Sequence, residues 1–385
     1  MKIIHLHNSR GFKCFLIISS IILTTLFSCS VDNKESYTGK FLKGRKIVFN
    51  LSNKVSTGFY HIQVYDSLIY CSDVMNHRSI YTFNFEGELV DILRFHKVGP
   101  NGIGRFRGFY IHKPDSIFLV NRHAYKLYLV DKAGIVKKKY NLRKENVDVG
   151  SIAYITSGSP MFKIDTMMYL PAIPEIEPYK YDYKHKQLLI ELNLHSFEVH
   201  YKLGYPKEMQ KFYLHGPYTV KYCCYNFSDS ILIVSYPPDN NLYAYDINKQ
   251  KLVTVNNDKS QYVDNIESPT SKPTNNSYER NLFSLQQDFF TSIYYDKYRK
   301  LYYRFIKKGL PKEEAKEHLK NPRKGGNPDR YIMVYDKEFN LLHEEKVSFL
   351  QTSREVFILP DGLYLKGNYE NNENKVYFQQ YIYRK

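Results

Sequence analysis

Asp66-Ser67-Leu68-Ile69-Tyr70-Cys71 is a short turn feeding an apolar run, and the chain repeats it. Asp115-Ser116-Ile117-Phe118-Leu119-Val120 and Asp229-Ser230-Ile231-Leu232-Ile233-Val234 follow the same pattern; Asp165-Thr166-Met167-Met168-Tyr169-Leu170 follows it more loosely. Asp and Ser favour tight turns because their side chains bond nearby backbone, and the β-branched and aromatic residues behind them favour strands. In the three clear copies a second strand follows, at 79–83, 126–130 and 241–245. A turn comes next, at Glu86-Gly87, Ala133-Gly134 or Asn248-Lys249. Tyr294-Tyr295-Asp296 before residues 301–305, and Pro360-Asp361-Gly362 between two short apolar runs, are less regular copies.

With Asp66, Asp115, Asp165, Asp229, Asp296 and Asp361 as anchors, the steps are 49, 50, 64, 67 and 65 residues. Periods near 40–50 with about four strands each mark propeller blades. Six units fit, and seven would make blades too short. The expected fold is therefore all-β, a six-bladed β-propeller. The longer steps need insertions, and residues 311–320, with Pro311 first, Glu313 and Glu314 early and Lys316 and Lys320 late, read as a short helix in the fifth blade. An open ring would expose a strand edge. Residues 46–51 form a strand with no blade of their own, so they are expected to close the last blade as its fourth strand.

Composition agrees. The 385 residues are 43% hydrophobic and 24% charged, which excludes a disordered chain, and 37 Tyr with 24 Phe suit strands. Only the first 30 residues hold a long apolar run, which excludes a multi-span helical membrane protein. That run, 15–27, follows Lys2, Arg10 and Lys13 and is too short to cross a bilayer; it fits a secretory signal core. The expected organisation is a signal over 1–28, a polar tether over 29–43 and the propeller over 44–385.

Leu26-Phe27-Ser28-Cys29 resembles the lipobox of bacterial lipoproteins. The resemblance implies that Cys29 becomes the mature N-terminus, carries lipid and anchors the chain to a membrane, and Ser30 resembles the sorting signal for the outer membrane. Two or more acyl chains make a stable anchor. Residues 69–80, Ile-Tyr-Cys-Ser-Asp-Val-Met-Asn-His-Arg-Ser-Ile, resemble the NHL repeat, and the Gly-rich stretch 98–106 resembles the linker between such repeats. The likeness is good over 58–143 and weakens beyond. With the lipobox, the whole chain resembles the Bacteroides-type lipoproteins that carry a six-bladed NHL-like (TolB-like) propeller. That family implies a fold and a compartment, the cell envelope, but no reaction. The four Asp-Ser/Thr-aliphatic turns also resemble an O-glycosylation acceptor of these bacteria, at Ser67, Ser116, Thr166 and Ser230; turn chemistry alone explains them as well.

Charge narrows the partners. The chain carries +16, and removing residues 1–28 takes three positive charges and leaves +13. Residues 297–324 hold eleven Lys and Arg against Glu313, Glu314 and Glu317, so the basicity is mostly one segment. Nucleic-acid binding needs a dispersed basic face or a known module, and the sequence offers neither. Cys71, Cys223 and Cys224 read as buried strand residues, not as a disulfide framework. No CxxC, HExxH or EF-hand spacing occurs, so no metal or cofactor is expected. No G-x-S-x-G elbow exists; Ser157-Gly158-Ser159 reads as a loop. Arg304 reads as a buried salt bridge or a partner for Tyr stacking. The Tyr179-Lys180-Tyr181-Asp182-Tyr183 alternation reads equally as a strand or as a sugar-stacking ledge.

The candidate ligand rim is the Gly-rich loop 99–108 with Arg105 and Arg107, beside Arg122 and His123 in the second blade. In a propeller, loops at one channel mouth vary without disturbing the blades. The reading is a lipid-anchored binding or scaffold propeller for a polar or anionic ligand, glycan or partner protein. The alternative is a propeller hydrolase or lyase acting on glycan or lactone. The basic insertion at 307–324 is expected to project from a different edge.

Overall fold

The computed structural model describes residues 39–51, 58–73, 77–143, 150–175, 186–210, 216–256, 258–264, 266, 276–322, 325–347, 355–367 and 374–385. Cys29 and residues 179–183 lie outside them.

Each blade is an antiparallel meander. The first holds β2 (Phe59–Tyr65), β3 (Leu68–Asp73), β4 (Ser79–Phe83) and β5 (Leu89–Arg94), and the second holds β6 (Phe109–Lys113), β7 (Ser116–Asn121), β8 (Lys126–Val130) and β9 (Val136–Asn141). In the third the first strand is split into β10 (Ser151–Ala153) and β11 (Phe162–Ile164), both paired with β12 (Met167–Pro174), ahead of β13 (Leu189–Asn193) and β14 (Val199–Lys202). The fourth is β15 (Tyr222–Asn226), β16 (Ile231–Ser235), β17 (Leu242–Asp246) and β18 (Lys251–Asn256). The fifth is β19 (Phe289–Asp296), β20 (Leu301–Lys307), β21 (Arg330–Tyr335) and β22 (Leu341–Lys346). The sixth is β23 (Val356–Leu359), β24 (Gly362–Lys366), β25 (Lys375–Arg384) and, as its outer strand, β1 (Lys40–Asn50). The ring is thus a six-bladed propeller closed by its N-terminal strand.

First strands of neighbouring blades approach one another, β2 meeting both β6 and β23, so they surround the axis. Because strands alternate in direction, every first-to-second and third-to-fourth turn lies on one face. Second-to-third connections and the crossings between blades lie on the other. We refer to these as the turn face and the mouth face.

All six anchor residues of the repeat fall in, or at the edge of, the first-to-second turn. Asp66 and Ser67 both take left-handed φ, 47° and 61°, with Tyr65 opposite Leu68. That is the two-residue turn whose twist matches the flanking strands. Asp165 and Ser230 also take positive φ, whereas Ser116 already belongs to β7. Ser67, Thr166 and Ser230 are exposed and Ser116 half-buried.

β1 begins at Lys40, so Lys40–Lys43, which polarity assigned to the tether, belong to the ring. The reason is Phe41, whose ring packs on Tyr303, His343, Tyr381 and Tyr383. Further along, Phe49 stacks on Phe83 of the first blade at 4.1 Å and packs on Phe378 of the sixth at 4.9 Å. Full burial of such a side chain is worth about 1.5–3 kcal/mol, and here it joins the last blade to the first.

Two helices sit on the mouth face of the fifth blade, α1 (Ser277–Gln286) and α2 (Lys312–Lys320), packed on each other. α2 is the expected insertion. Its segment does not form the separate edge expected from the sequence: it lies on the same face as the Gly-rich loop, three blades round the ring. Part of the charge of residues 297–324 is also taken up, although Lys312 and Lys320 are exposed. Arg299 pairs with Asp296, Lys308 with Asp264 and Asp288, and Lys316 with Glu313, while Arg304 and Lys307 are buried.

Candidate functional site: the mouth face

The axis of the ring is occupied. Between β10 and β11 the chain leaves the strand line and its hydroxyl-bearing loop reaches the other blades. Ser157 Oγ accepts from Ile62 N of the first blade at 2.8 Å. Ser159 Oγ donates to Lys221 O at 3.0 Å, and Cys223 N of the fourth blade donates to Gly158 O at 3.1 Å. A Cβ on Gly158 would stand 2.6 Å from Ser292 Cβ of the fifth blade, so glycine is required there. The rim expected round a channel therefore surrounds a floor. His61 lies in this floor, stacked on Phe109 at 4.6 Å, and burial pushes its pKa down to about 3.

Above the floor, on the side of the first three blades, the expected site residues come together. Asn121 ties the Gly-rich crossing to the 122–124 turn: its Nδ2 donates to Ile103 O at 2.8 Å and its Oδ1 accepts from Ala124 N at 3.1 Å. Gly104, at φ 69°, is what lets Asn121 approach, since a Cβ would lie 2.7 Å from Nδ2. Phe106 N donates to His77 O and Arg107 N to Val120 O, fixing the two arginines between blades. Arg105 is exposed, Arg107 and Arg122 are half-buried, and His123 is exposed.

The structure adds three residues that the sequence did not single out. The Arg107 guanidinium stands over the Tyr60 ring at 5.5 Å, and Arg122 over Tyr154 at 5.9 Å. His77 meets Tyr60 edge to face at 5.9 Å. Burial lowers the His77 pKa, Arg107 lowers it further, Asp73 opposes and Arg105 adds to the lowering. His123 is lowered by burial, then by Arg122 and Arg107. Both imidazoles are thereby kept neutral in a basic field. Among the described residues none of Arg105, Arg107 and Arg122 forms an ion pair, and Arg122 Nε is buried without a hydrogen-bond partner. Tyr60, His77 and Tyr154 come from the first and third blades, so only the ring brings them to the arginines; Asn76-His77-Arg78 in a blade connection was the one available signal.

Elsewhere on the mouth face, several buried charges hold the connections in place. Arg304, fully buried, stacks on Phe290 at 3.4 Å and donates to Ser235 Oγ, Asp239 O and Asn240 O, holding the 236–241 connection. Its ring partner is Phe, not the Tyr that precedes it. Lys307 Nζ donates to the carbonyls of Ser284, Leu285 and Gln287 at the end of α1, and burial pushes its pKa down to about 7. Lys221 Nζ donates to Leu188 O, and burial lowers its pKa to about 8. Glu355 and Lys366 form a buried pair at 2.6 Å, and Glu355 Oε1 also accepts from Phe59 N of the first blade at 2.9 Å. Cys71, Cys223 and Cys224 are buried free thiols, each raised by burial.

Residues 41–346 match the family described as Domain of unknown function (DUF4221). The chain belongs to the DUF4221 family. A crystal structure of a DUF4221 member from Bacteroides vulgatus shares 18% identity at a TM-score of 0.77, over 90% of this chain and 98% of that one. A Bacteroides fragilis protein, named for its expected export, shares 10% identity at a TM-score of 0.56, over 90% and 96%. Virginiamycin B lyase from Staphylococcus aureus, at 11% identity and a TM-score of 0.42 over 89% and 100%, is too distant to bear on the chemistry of this DUF4221 chain. None of the curated proteins compared with the chain matches it.

Proposed function

We propose that this chain is a lipid-anchored binding propeller of the cell envelope, whose mouth takes the anionic group of a glycan or a partner protein. The observation that carries the reading is the gathering of Arg105, Arg107 and Arg122 with no ion-pair partner among the described residues. Arg107 stands over Tyr60 and Arg122 over Tyr154, above a filled axis. Guanidinium groups suit carboxylate, sulfate and phosphate because their planar fork donates two parallel bonds. A guanidinium resting on an aromatic face keeps its edge donors for an anion. The lipobox-like Leu26-Phe27-Ser28-Cys29 supports the anchor, and the export expected of the Bacteroides fragilis protein agrees with an envelope location.

Calorimetric titration with uronate and sulfated oligosaccharides and an acidic peptide tests the mouth. Binding is expected for at least one of them, weakening with salt. Arg107→Ala with Arg122→Ala is expected to lower affinity about tenfold or more, at ~1.5–3 kcal/mol per charge-assisted bond. Equal affinity in the double variant overturns the site. Release of product from a bound oligosaccharide overturns the binding reading in favour of a hydrolase or lyase.

A further inference from the structure

β1 enters the ring from the turn face. Lys40 pairs with Arg384 at the end of β25, beyond Asp361 of the sixth blade's turn, and β1 then runs toward the mouth, where Leu51 N bonds Asn374 O. Ten residues separate Cys29 from Lys40, which makes eleven steps along the chain. At roughly 3.3–3.6 Å each they reach about 40 Å at most. The blades stand about 17–26 Å tall for strands of five to eight residues. A membrane against the mouth face would therefore use roughly half of that reach to pass the side of the ring, whereas the turn face is adjacent to its origin.

Among the described residues, four of the eight most exposed large apolar side chains stand on the turn face; Val98 and Tyr278 stand on the mouth face and Val90 and Val253 on outer strands. Phe227 is 60% exposed, Phe197 51%, Tyr298 43% and Ile135 40%; all four stand at turn tips of the second to fifth blades. Lysines accompany two of the rings: Lys297 Nζ lies 5.1 Å from the Tyr298 centroid and Lys138 Nζ 5.6 Å from that of Phe197. Aromatic rings with nearby lysines suit the boundary between headgroups and acyl chains. Asp131, Glu198 and Asp229 stand in three of these turns, while Lys297, Arg299 and Lys300 outnumber Asp296 in the fourth.

We infer that the turn face lies on the bilayer surface, with Phe197, Phe227 and Tyr298 in its interface, so that the mouth opens away from the membrane. This rests on the lipid-anchor reading, and the two are separable by experiment. The chain has no Trp, so a single introduced Trp reports its own depth. The full lipidated chain carrying Phe227→Trp, and separately Val98→Trp on the mouth face, is placed in phosphatidylcholine vesicles with brominated acyl chains. The Phe227→Trp emission is expected to fall by about half, as for a ring held ~5–10 Å into the boundary, and that of Val98→Trp to stay unchanged. Equal quenching at both positions, quenching at Val98→Trp alone, or none at either overturns the orientation. Acyl mass on the wild-type chain but not on Cys29→Ala supports the anchor; its absence overturns that reading alone. In that case the unlipidated chain is mixed with the same vesicles, where quenching at Phe227→Trp supports the face and its absence overturns it.

Discussion

On the turn face, the first two strands of the first, second, third and sixth blades are joined by two residues each, at 66–67, 114–115, 165–166 and 360–361. On the mouth face, connections run from 203 to 221, from 257 to 288 and from 308 to 329, and they carry both helices. The first set is governed by backbone geometry and repeats in sequence because the geometry repeats. The second differs from blade to blade, and most of the buried charge gathers there: Lys221, Asp288, Lys307, Glu355 and Lys366. Buried charge needs a specific partner, so each long connection is held by a private contact. The regular face stabilises through what all blades share, and the irregular face through what only one blade has.

The sharpest way to break this contrast is to remove one private contact. Glu355→Ala removes the carboxylate that pairs with buried Lys366 and strips the acceptor from Phe59 N. A loss of about 3–5 kcal/mol is expected, read by urea denaturation. Glu355→Gln with Lys366→Met is expected to recover much of it, because removing both charges removes the burial cost. A loss under about 1 kcal/mol for the single variant would falsify the role given to the pair.

The next effect is pH-dependent. Lys307 is held at about 7 by burial, with Arg330 adding to the lowering and Asp288 opposing it. An unfolded lysine titrates near ~10.4. Between the two values the unfolded chain binds a proton that the folded chain has released. Stability is therefore fullest above ~10, falls as pH drops, and has lost this contribution below 7. The slope from this one group approaches ~1.4 kcal/mol per pH unit. Urea midpoints at pH 7 and pH 8 are expected to rise with pH in the wild type and to rise less in Lys307→Met. An unchanged slope in the variant rules out Lys307 as the source.

How much of this was legible follows the same division. The Asp-Ser turns announced themselves because a two-residue connection with left-handed φ admits few residue types. The closing strand was legible because residues 46–51 form a mostly apolar, β-favouring run with no blade to join. Arg105, Arg107 and Arg122 were legible because they sit in connections next to regular blades. Tyr60, His77 and Tyr154 were not, since their company depends on how three blades pack. The loop at 154–161 read only as a loop, because its partners Ile62, Lys221 and Cys223 belong to blades on either side. Lys307 read as part of a basic stretch because its carbonyl partners belong to a helix that precedes it.

The smallest effect separates two turns with similar sequences. Ser67 is held at φ 61°, while Ser116 opens a strand with no such constraint. Ser67→Gly is expected to stabilise by about 0.5–1 kcal/mol and Ser116→Gly to destabilise by a similar amount. Thermal unfolding measures both, and shifts of the same sign would mean that the turn face is less uniform than its repeat suggests.

The closing strand also sets the order in which the molecule is made. β1 is among the first parts of the ring to be synthesised, and its partner β25 is the last; Arg45 N and the Gln380 side chain that it bonds are 335 residues apart. Loop-closure entropy grows only slowly with length, so the finished ring loses little by this arrangement. The growing chain is in a different position. Until the final strand emerges, Phe49 has only its first-blade partners and lacks Phe378, the first blade lacks its neighbour, and two strand edges stand open to other chains. A ribosome that stalls before residue 375 releases five blades that cannot close. Closure of the ring is therefore the last step of its assembly.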